Sequence, residues 1–367
     1  MKPDPAVVLA GGGTAGHTNP LIATAVALQS LAPAAALTVI GTPKGLETTV
    51  IPAAGLPLEL IEPVPLPRKP TPSLLAVPIR LRRAVAQAAR ILHAQRADVV
   101  VGFGSYVSLP VYLAARKLKV PLVIHEGNVT PGIANKIGAR FAATVAATFP
   151  DTPLPGAQTI GLPVRREVAT LDRVAAQPRA RQEFGLPASG PVLLVSGGSQ
   201  GARSLNTATE AARDRILAAG VSILHVLGAN NFTDAHQPIE LPSGAAYRPV
   251  AYVDGMERAY AAADLMLGRS GAGTVMETAM VGLPAVFVPL PHGNGEQARN
   301  AEFLVHAGAA ILVPDAELTP EWLAGSLVPL ALNRERLAQM GELARSLAPA
   351  DASQTLAQLA LAAIGEG

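Results

Sequence analysis

The sequence predicts an α/β protein made of two doubly wound parallel-sheet domains. Short, mostly apolar strands alternate with amphipathic helical stretches along the chain, which is typical of parallel sheets covered by helices on both faces. This alternation breaks near residues 150–163, where Pro and Gly are frequent, and then resumes. The chain has 367 residues, more than one core usually serves. We predict domains over residues 1–162 and 163–345, and a C-terminal helix, 346–367, that could pack back on the N-terminal domain.

The first series of elements is read from six apolar runs and the helical patterns between them. The predicted strands are Val7–Ala10, Leu37–Gly41, Leu58–Ile61, Val99–Val101, Leu122–Ile124 and Thr144–Ala147. The predicted helices cover Leu21–Leu28, Pro43–Ala53, Ser73–His93, Val107–Leu118 and Pro131–Ala139.

The second series repeats the same alternation. Its predicted strands are Val192–Ser196, Val221–Val226, Tyr247–Val250, Leu265–Leu267, Ala285–Val288 and Ala310–Val313. Its predicted helices are Arg203–Ala219, Gly271–Met280, Glu296–Ala307, Glu335–Ser346 and Ser353–Ala363. Because ligands of open parallel sheets bind at the carboxyl ends of strands, we expect the active site in the cleft between two such domains.

Composition excludes several classes of protein. The chain has no cysteine, which rules out disulfides and thiolate chemistry and fits a reducing compartment. No signal peptide or long apolar run is evident, so we expect a soluble protein. Residues 1–162 carry 14 Lys and Arg against 7 Asp and Glu, whereas residues 163–367 carry 15 against 20. A basic first half suggests an anionic partner, but with 4% aromatic residues nucleic acid is not expected.

Three glycine-rich turns follow strands and open helices. Residues 7–20 read VVLAGGGTAGHTNP, Ser196–Ala202 reads SGGSQGA, and Gly268–Thr274 reads GRSGAGT. Such turns expose backbone N–H groups at a helix N-terminus, where anions bind. A phosphate-binding loop is the functional interpretation of the first turn, and a tight turn without ligand is the alternative. His17 favours function, since packing alone gives little reason for an ionisable ring there.

Polar residues near the later strand ends suit a sugar nucleotide. Glu277 could accept two hydrogen bonds from the hydroxyls of a ribose, or be a solvated surface residue. Arg269 could neutralise a diphosphate, or form a surface ion pair of little value. Gln297 and Asn300 offer carboxamides for sugar hydroxyls. The segment HEGN, His125–Asn128, follows a strand, and its His and Glu are equally well explained as structural.

Together these motifs resemble a known family. GGGTAGH, HEGN, GLPVR at Gly161–Arg165, SGGSQGA and GRSGAGTVMETAMVGLPAVFVPLP with EQARNA appear in order. This series is similar to the peptidoglycan glycosyltransferases that add N-acetylglucosamine to the membrane-linked muramyl-pentapeptide, lipid I, to form lipid II. The resemblance implies a GT-B fold of two Rossmann-like domains, a UDP-N-acetylglucosamine (UDP-GlcNAc) donor, and inversion at the anomeric carbon.

The resemblance also implies site residues. Glu277 would bind the ribose and the backbone of Val253 would read uracil, while Arg165 and Gln297 match further donor-site positions. The remaining implied substrate contacts are Gly13, Thr14, Ala15, Asn128, Ser199, Ala272, Gly273, Thr274, Val275 and Met276. Four positions depart from the family pattern: Ala15 replaces a glycine, Gly127 a glutamine, Leu162 an asparagine, and Glu296 one of two paired glutamines.

The implied reaction is a direct displacement by the C4 hydroxyl of the muramyl sugar. We expect His17 to be the base, with Glu126 in reserve, and helix N-termini with Arg165 or Arg269 to carry the diphosphate charge. No Asp-x-Asp motif is present, so no metal or other cofactor is expected. The alternatives are a UDP-GlcNAc 2-epimerase of the same fold, a nicotinamide-dependent oxidoreductase and a non-catalytic cell-wall scaffold. The oxidoreductase is disfavoured because no acidic residue stands at the end of the second strand, where Gly41–Lys44 reads GTPK.

The acceptor lipid bears on one further segment. Val64–Arg83 mixes apolar residues with Arg80, Arg82 and Arg83, which suits either an anionic bilayer surface or a helix with solvated arginines. The lipid-linked acceptor favours the membrane interpretation. We therefore expect a peripheral protein on the cytoplasmic face of the plasma membrane, with UDP-GlcNAc, lipid I and other cell-wall assembly proteins as partners.

Overall fold

The structure, a computed structural model, describes residues 4–64, 77–292 and 294–365. It divides into two compact units, Met1–Arg165 with Asp351–Gly367, and Arg166–Ala350. The first chain crossing therefore lies three residues beyond the predicted boundary. In the segment Val64–Arg83, residues 65–76, which include Leu74 and Leu75, lie outside the described residues, so its described part is Val64 and residues 77–83.

The first unit is built on a seven-stranded parallel sheet with the order β3-β2-β1-β4-β5-β6-β7. Its strands are β1 Ala6–Ala10, β2 Ala36–Gly41, β3 Leu58–Leu60, β4 Val99–Gly102, β5 Leu122–Glu126, β6 Thr144–Ala147 and β7 Ala157–Thr159. Its first five helices are α1 Ala15–Leu31, α2 Glu47–Ala53, α3 Val77–Ala94, α4 Ser108–Leu118 and α5 Ile133–Gly138.

The central strand of this sheet shows why its apolar run is continuous. Val7 and Leu9 of β1 pack into one core with α1, whereas Val8 and Ala10 pack into a second core with α3 and α4. Alternate side chains of a strand point to opposite faces, and both faces are covered here. An uninterrupted apolar strand is therefore the signature of this buried parallel sheet.

The second unit repeats the design. Its sheet order is β10-β11-β9-β8-β12-β13-β14, and only the β10–β11 pair is antiparallel. The strands are β8 Val192–Ser196, β9 Ser222–Val226, β10 Ile239–Glu240, β11 Ala246–Val250, β12 Leu265–Gly268, β13 Ala285–Phe287 and β14 Ala310–Leu312. The helices are α6 Arg166–Ala169, α7 Arg173–Glu183, α8 Arg203–Ala218, α9 Met256–Ala262, α10 Ala272–Met280, α11 Glu296–His306, α12 Pro320–Trp322, α13 Val328–Leu332 and α14 Arg334–Leu347.

The last helix returns to the first unit. α15 covers Ala352–Ala363 and packs against α1. Leu356, Ala360 and Leu361 are buried in the same core as Val7 and Leu9. The chain therefore crosses between the units twice, and α15 completes one face of the first sheet.

All twelve predicted strands overlap observed ones, but two strands were not predicted. β7 lies inside the Pro- and Gly-rich residues 150–163, where no strand is predicted. β7 reads AQT and β10 reads IE, and neither sequence is an apolar run that would indicate a strand. In the described part of the chain, no helix is both long and apolar enough to span a bilayer.

Candidate active site

In each unit the glycine-rich turns flank the point where strand order reverses. β1 and β4 are neighbours in the first sheet, and the turns after them contain Gly11–Gly16 and Phe103–Val107. β8 and β12 are neighbours in the second sheet, and they lead into Ser196–Ala202 and Gly268–Thr274. Ligands of open α/β sheets bind at the carboxyl ends of strands at such a reversal. The topology thus places the three predicted glycine-rich turns where ligands of such sheets bind. It places a fourth turn, which begins at Phe103, at the same kind of position.

The N-terminus of α1 is open to a substrate. Its N-cap, Thr14, makes no side-chain cap bond, and its first turn contains no acidic residue. The first N–H groups of a helix have no intrahelical acceptor and carry a partial positive charge. Thr14 is exposed, and Gly13 and Ala15 are half-buried. These predicted contact residues are therefore accessible, and their contact with a substrate stays a prediction.

One N–H group of this turn is already bound inside the protein. Gly13, with φ +87°, donates its N–H to Oε2 of Glu47 at 2.7 Å. Glu47 is fully buried and also accepts hydrogen bonds from the backbone N–H and the hydroxyl of Thr42. The phosphate-binding interpretation is therefore wrong for the N–H of Gly13. It stays a prediction for the N–H groups that begin α1.

The ring of His17 is held in one orientation. It lies half-buried in the first turn of α1, and its Nδ1 is 2.8 Å from the carbonyl oxygen of Phe103. A carbonyl can only accept, so Nδ1 carries the proton and donates it to this bond. The lone pair of the neutral ring is then on Nε2. The carbonyl that follows β4 thus fixes the tautomer that can take a proton from a hydroxyl.

Glu126 is held by its own loop. Its carboxylate accepts hydrogen bonds from the N–H groups of Asn128 and Gly132 and from Nδ2 of Asn135. Burial raises the pKa of Glu126, and these hydrogen bonds oppose the rise. With three donors directed at its oxygens, the carboxylate organises the turn that carries Asn128. The structure therefore favours His17 over Glu126 as the base.

His125 is a buried structural residue. It is 1% exposed, and its Nε2 lies 2.9 Å from the carbonyl oxygen of Gly161. Burial lowers the pKa of His125 to about 4, so the ring is neutral at pH 7 and donates from Nε2. His125 thereby ties the end of β5 to the segment that leads to Arg165. Arg165 itself is half-buried and belongs to the first unit.

The turn after β8 is shaped by two close backbone approaches. A Cβ on Gly201 would lie 2.0 Å from the carbonyl oxygen of Leu227, and one on Gly197 would lie 2.2 Å from the amide nitrogen of Ala202. Ser199 is exposed at the tip, whereas Ser196 is buried. Ser199, but not Ser196, is therefore accessible to a phosphate.

The turn after β12 offers backbone rather than side chains. α10 begins at Ala272, and its N-cap, Gly271, makes no side-chain cap bond. Ala272, Gly273 and Thr274 are half-buried, whereas Val275 and Met276 are completely buried in the core. The N–H of Val275 already donates to the carbonyl of Gly271, so the donor contacts predicted for these two residues stay a prediction.

Arg269 is committed to the fold. Its Nη1 donates to the carbonyls of Val288 and Pro289 and pairs with Asp315, and its Nη2 donates to Ser204. The side chain is 11% exposed, so it is not the surface ion pair considered as an alternative. Both terminal nitrogens join the residue after β12 to the residues after β13 and to α8. The expectation that these two nitrogens neutralise a diphosphate is therefore wrong.

Glu277 and Gln297 each accept a hydrogen bond inside the protein. Oε2 of Glu277 accepts a hydrogen bond from the hydroxyl of Tyr260 at 2.7 Å. Oε1 of Gln297 accepts one from the N–H of Leu290 at 2.9 Å, which leaves its amide nitrogen as the donor for a sugar hydroxyl. Val253 is 4% exposed, so the predicted uracil contact can involve only its backbone.

The comparisons with known proteins agree with this geometry. The glycosyltransferase family 28 N-terminal domain matches residues 7–147, and the family 28 C-terminal domain matches residues 192–356. The UDP-N-acetylglucosamine--N-acetylmuramyl-(pentapeptide) pyrophosphoryl-undecaprenol N-acetylglucosamine transferase of Nocardioides sp. is 55% identical over 355 residues, 97% of each chain. The chain belongs to this transferase family. The crystal structure of Acinetobacter baumannii MurG covers 98% of this chain and 99% of its own, at 29% identity and a TM-score of 0.77.

Membership confirms the resemblance and the GT-B fold predicted from the motifs. A putative UDP-N-acetylglucosamine 2-epimerase from Listeria monocytogenes also superposes, with a TM-score of 0.65 and coverage of 100% and 96%, but it is 14% identical. That likeness shows a shared fold only. The epimerase alternative therefore has the architecture in its favour and no further support.

The departures from the family pattern have simple local explanations. Glu296 is the first residue of α11, where a negative charge is favourable to the helix dipole. Leu162 is 3% exposed and packs as an apolar residue. A Cβ on Gly127 would meet only atoms 3.9 Å or more away, so this glycine leaves space rather than avoiding a clash.

Sequence reasoning missed a buried polar group in the first unit of this family 28 enzyme. Glu47, Thr42 and Tyr106 are joined by hydrogen bonds beside Gly13. The segment GTPKGLE reads only as the start of a helix, because a buried carboxylate and a solvated one look alike in a sequence. The three glycines Gly12, Gly41 and Gly45 around Glu47 were the only signal.

Proposed function

We propose that this chain transfers N-acetylglucosamine from UDP-GlcNAc to the C4 hydroxyl of the muramyl sugar of lipid I, which forms lipid II. His17 takes the hydroxyl proton on Nε2, and the C4 oxygen attacks the anomeric carbon. The bond from that carbon to the diphosphate oxygen breaks, and UDP leaves with the electron pair. Attack from the side opposite to UDP inverts the anomeric configuration. The observation that carries the proposal is the 2.8 Å contact that leaves Nε2 of His17 as the acceptor.

The donor is assigned to the second unit. The uncapped N-terminus of α10 stabilises the charge that develops on the leaving diphosphate. The exposed hydroxyl of Ser199 can donate to the same diphosphate, while Gln297 and Glu277 hold the sugar and ribose hydroxyls. Arg165, which belongs to the first unit, matches a further donor-site position, and its contact with the donor stays a prediction. The residues assigned to substrate contacts beside His17 are Gly13, Thr14, Ala15 and Asn128.

The decisive experiment measures transfer of labelled N-acetylglucosamine from UDP-GlcNAc to a lipid I analogue. We expect wild-type protein to form lipid II, and His17→Asn to lose about 10²–10⁴-fold in kcat, the usual contribution of a general base. Asn is the sharper variant because its Nδ2 can still donate to Phe103. UDP affinity should not change. Wild-type activity in His17→Asn would remove His17 from this role.

The same assay without lipid I separates the epimerase. An epimerase needs no acceptor, so it would convert UDP-GlcNAc alone into a second UDP-sugar. We expect no such product. Conversion of UDP-GlcNAc without lipid I would support the epimerase. No reaction either with or without lipid I would support the scaffold.

We also assign a membrane contact to α3. The described part of this helix exposes Ile79, 58% accessible, beside the exposed Arg80, Arg82 and Arg83. α3 contains no Asp or Glu, and its opposite side packs on α4. Exposed apolar and basic residues on one helix favour an anionic bilayer surface. The enzyme would then act as a peripheral protein on the cytoplasmic face of the plasma membrane. Its association with other cell-wall assembly proteins stays a prediction.

Vesicle binding tests this contact. Changing Arg80, Arg82 and Arg83 to Glu should strongly weaken sedimentation with phosphatidylglycerol vesicles, because each basic residue contributes about 1 kcal/mol near such a surface. Unchanged sedimentation would exclude this face.

A matched control keeps the total charge change the same. Arg179, Arg203 and Arg334 are exposed on the second unit, and their replacement by Glu should leave sedimentation nearly unaltered. An equal loss in both triple variants would show that only net charge matters.

A further inference from the structure

A buried carboxylate joins the two turns that flank the strand reversal in the first unit. Glu47, the first residue of α2, is fully buried. It accepts hydrogen bonds from the N–H of Gly13 at 2.7 Å, the N–H of Thr42 at 3.0 Å and the hydroxyl of Thr42 at 2.9 Å. Among the described residues, none forms an ion pair with Glu47. Its negative charge is therefore balanced by hydrogen bonds from the turns themselves.

The backbone is shaped around this carboxylate. A Cβ on Gly12, Gly41 or Gly45 would lie 2.5, 2.7 or 1.8 Å from an atom of Glu47. No side chain larger than hydrogen fits at these positions without moving Glu47. Three separate glycines thus enclose one acid, although an apolar side chain of similar size would be cheaper to bury. A charge that is costly to bury and closely enclosed is well suited to holding one conformation.

The hydrogen bonds continue to the second turn. The single hydroxyl proton of Thr42 is donated to Glu47, so the 3.1 Å contact between Thr42 and Tyr106 requires the Tyr106 hydroxyl to donate. The ring of Tyr106 lies against Gly13, where a Cβ would be 3.3 Å from Cε1. Glu47 therefore controls the position of Gly13 directly and that of Tyr106 through Thr42.

The turn that carries Tyr106 is itself strained. Ser105 has φ +75°, in the left-handed region that non-glycine residues rarely adopt. Its hydroxyl is buried and has no hydrogen-bond partner within the described ranges. Strained backbone and unpaired buried hydroxyls occur preferentially at functional sites. The same turn supplies the Phe103 carbonyl that orients His17.

We propose that Glu47 is a positioning residue for the transfer reaction. Through Gly13 it holds the turn that leads into α1 and His17, and through Thr42 it holds Tyr106 beside that turn. This proposal rests on the transfer reaction proposed above. Glu47 touches neither substrate in this role, and its effect is on the geometry of the acceptor half of the site.

The first test replaces Glu47 by Gln, which keeps the shape of the side chain. One acceptor oxygen becomes an amide NH₂ group, a donor that would face other donors. We expect kcat for transfer to fall about 10²-fold, the usual consequence of displacing a reacting group by about 1 Å. KM for UDP-GlcNAc should stay at the wild-type value, because the donor is assigned to the second unit. Glu59→Gln, at an exposed position on β3, is the matched control and should behave as wild type.

The second test examines the connection to Tyr106 and does not depend on the stability of Glu47→Gln. Thr42→Val removes the hydroxyl at nearly constant volume, and Thr42→Ser retains it. We expect Val to lower kcat and Ser to restore it, and Thr42→Val combined with Tyr106→Phe to be no worse than Thr42→Val alone. Wild-type kcat in Thr42→Val, or equal losses in Val and Ser, would overturn the proposal.

A third measurement separates this proposal from the proposed function. Hydrogen exchange of the Gly13 amide should be slow in wild type and accelerated in Glu47→Gln, whether or not the chain transfers sugar. Wild-type protein that is inactive on lipid I would refute the function alone. A lower melting temperature in Glu47→Gln with unchanged kcat and unchanged Gly13 exchange would show that Glu47 only stabilises the fold.

Discussion

Acidification should destabilise this protein through His125 in a way that one substitution can isolate. The ring is 1% exposed and donates to Gly161, and burial lowers the pKa of His125 from 6.5 to about 4. Between these values the unfolded chain binds a proton that the folded chain does not. The free energy of unfolding therefore falls as pH falls from about 6.5 towards 4, by about 1.4 kcal/mol per pH unit. Above pH 6.5 this contribution is constant.

The matched variant is His125→Gln, whose Nε2 can still donate to Gly161 but does not titrate. Between pH 7 and pH 5 wild type should lose about 2 kcal/mol more than the variant. Urea unfolding followed by circular dichroism at both values measures this difference, since all other titrating groups are shared. Parallel pH dependences of the two proteins would refute the reasoning, and would mean that the ring is already protonated in the folded state or is exposed to water.

Three further predictions concern the donor side of the site. Glu277→Gln should weaken UDP-GlcNAc binding by about 1.5–3 kcal/mol, the usual value of charged hydrogen bonds, and Tyr260→Phe should weaken it less. Isothermal titration calorimetry measures both affinities. An affinity of Glu277→Gln equal to that of wild type would exclude the ribose contact. Gly201→Ala should lower the melting temperature and the UDP affinity, because its methyl group would meet the Leu227 carbonyl. Gly198→Ala is the control: Gly198 has a similar φ of +86° and its added Cβ would meet no atom within 4 Å, so this change should cost only backbone strain. Chelation with EDTA should leave the transfer rate unchanged, and a loss restored by Mg²⁺ would contradict the expectation that no metal is required.

Local patterns were enough to predict most elements of this chain. β1, β8 and β12 are apolar runs buried on both faces, and the glycines after them are needed where backbone segments approach closely, as at Gly201. The motifs around His17 and Glu277 likewise carried the family assignment, because their order along the chain is specific. β7 could not be predicted, since its residues Ala157–Thr159, AQT, form no apolar run.

The roles of individual polar side chains were beyond the reach of the sequence. Arg269 and Glu47 look like ordinary charged residues of a turn and a helix start. Only the folded chain brings Asp315 to Arg269, and Gly13 with Thr42 to Glu47. The partners are separated by 46 residues in the first case and 34 residues between Glu47 and Gly13 in the second, and no periodicity links them.

The sequence by itself determined the fold class, the family and the turns at which substrates are expected. It could do so because strand burial, helix periodicity and glycine turns are local properties, each readable within a short window. Only the tertiary structure decided which polar groups are available for chemistry. It left Nε2 of His17 as an acceptor and used Glu126, His125, Arg269 and Glu47 to hold the turns in place, because a hydrogen bond depends on partners that folding alone brings together.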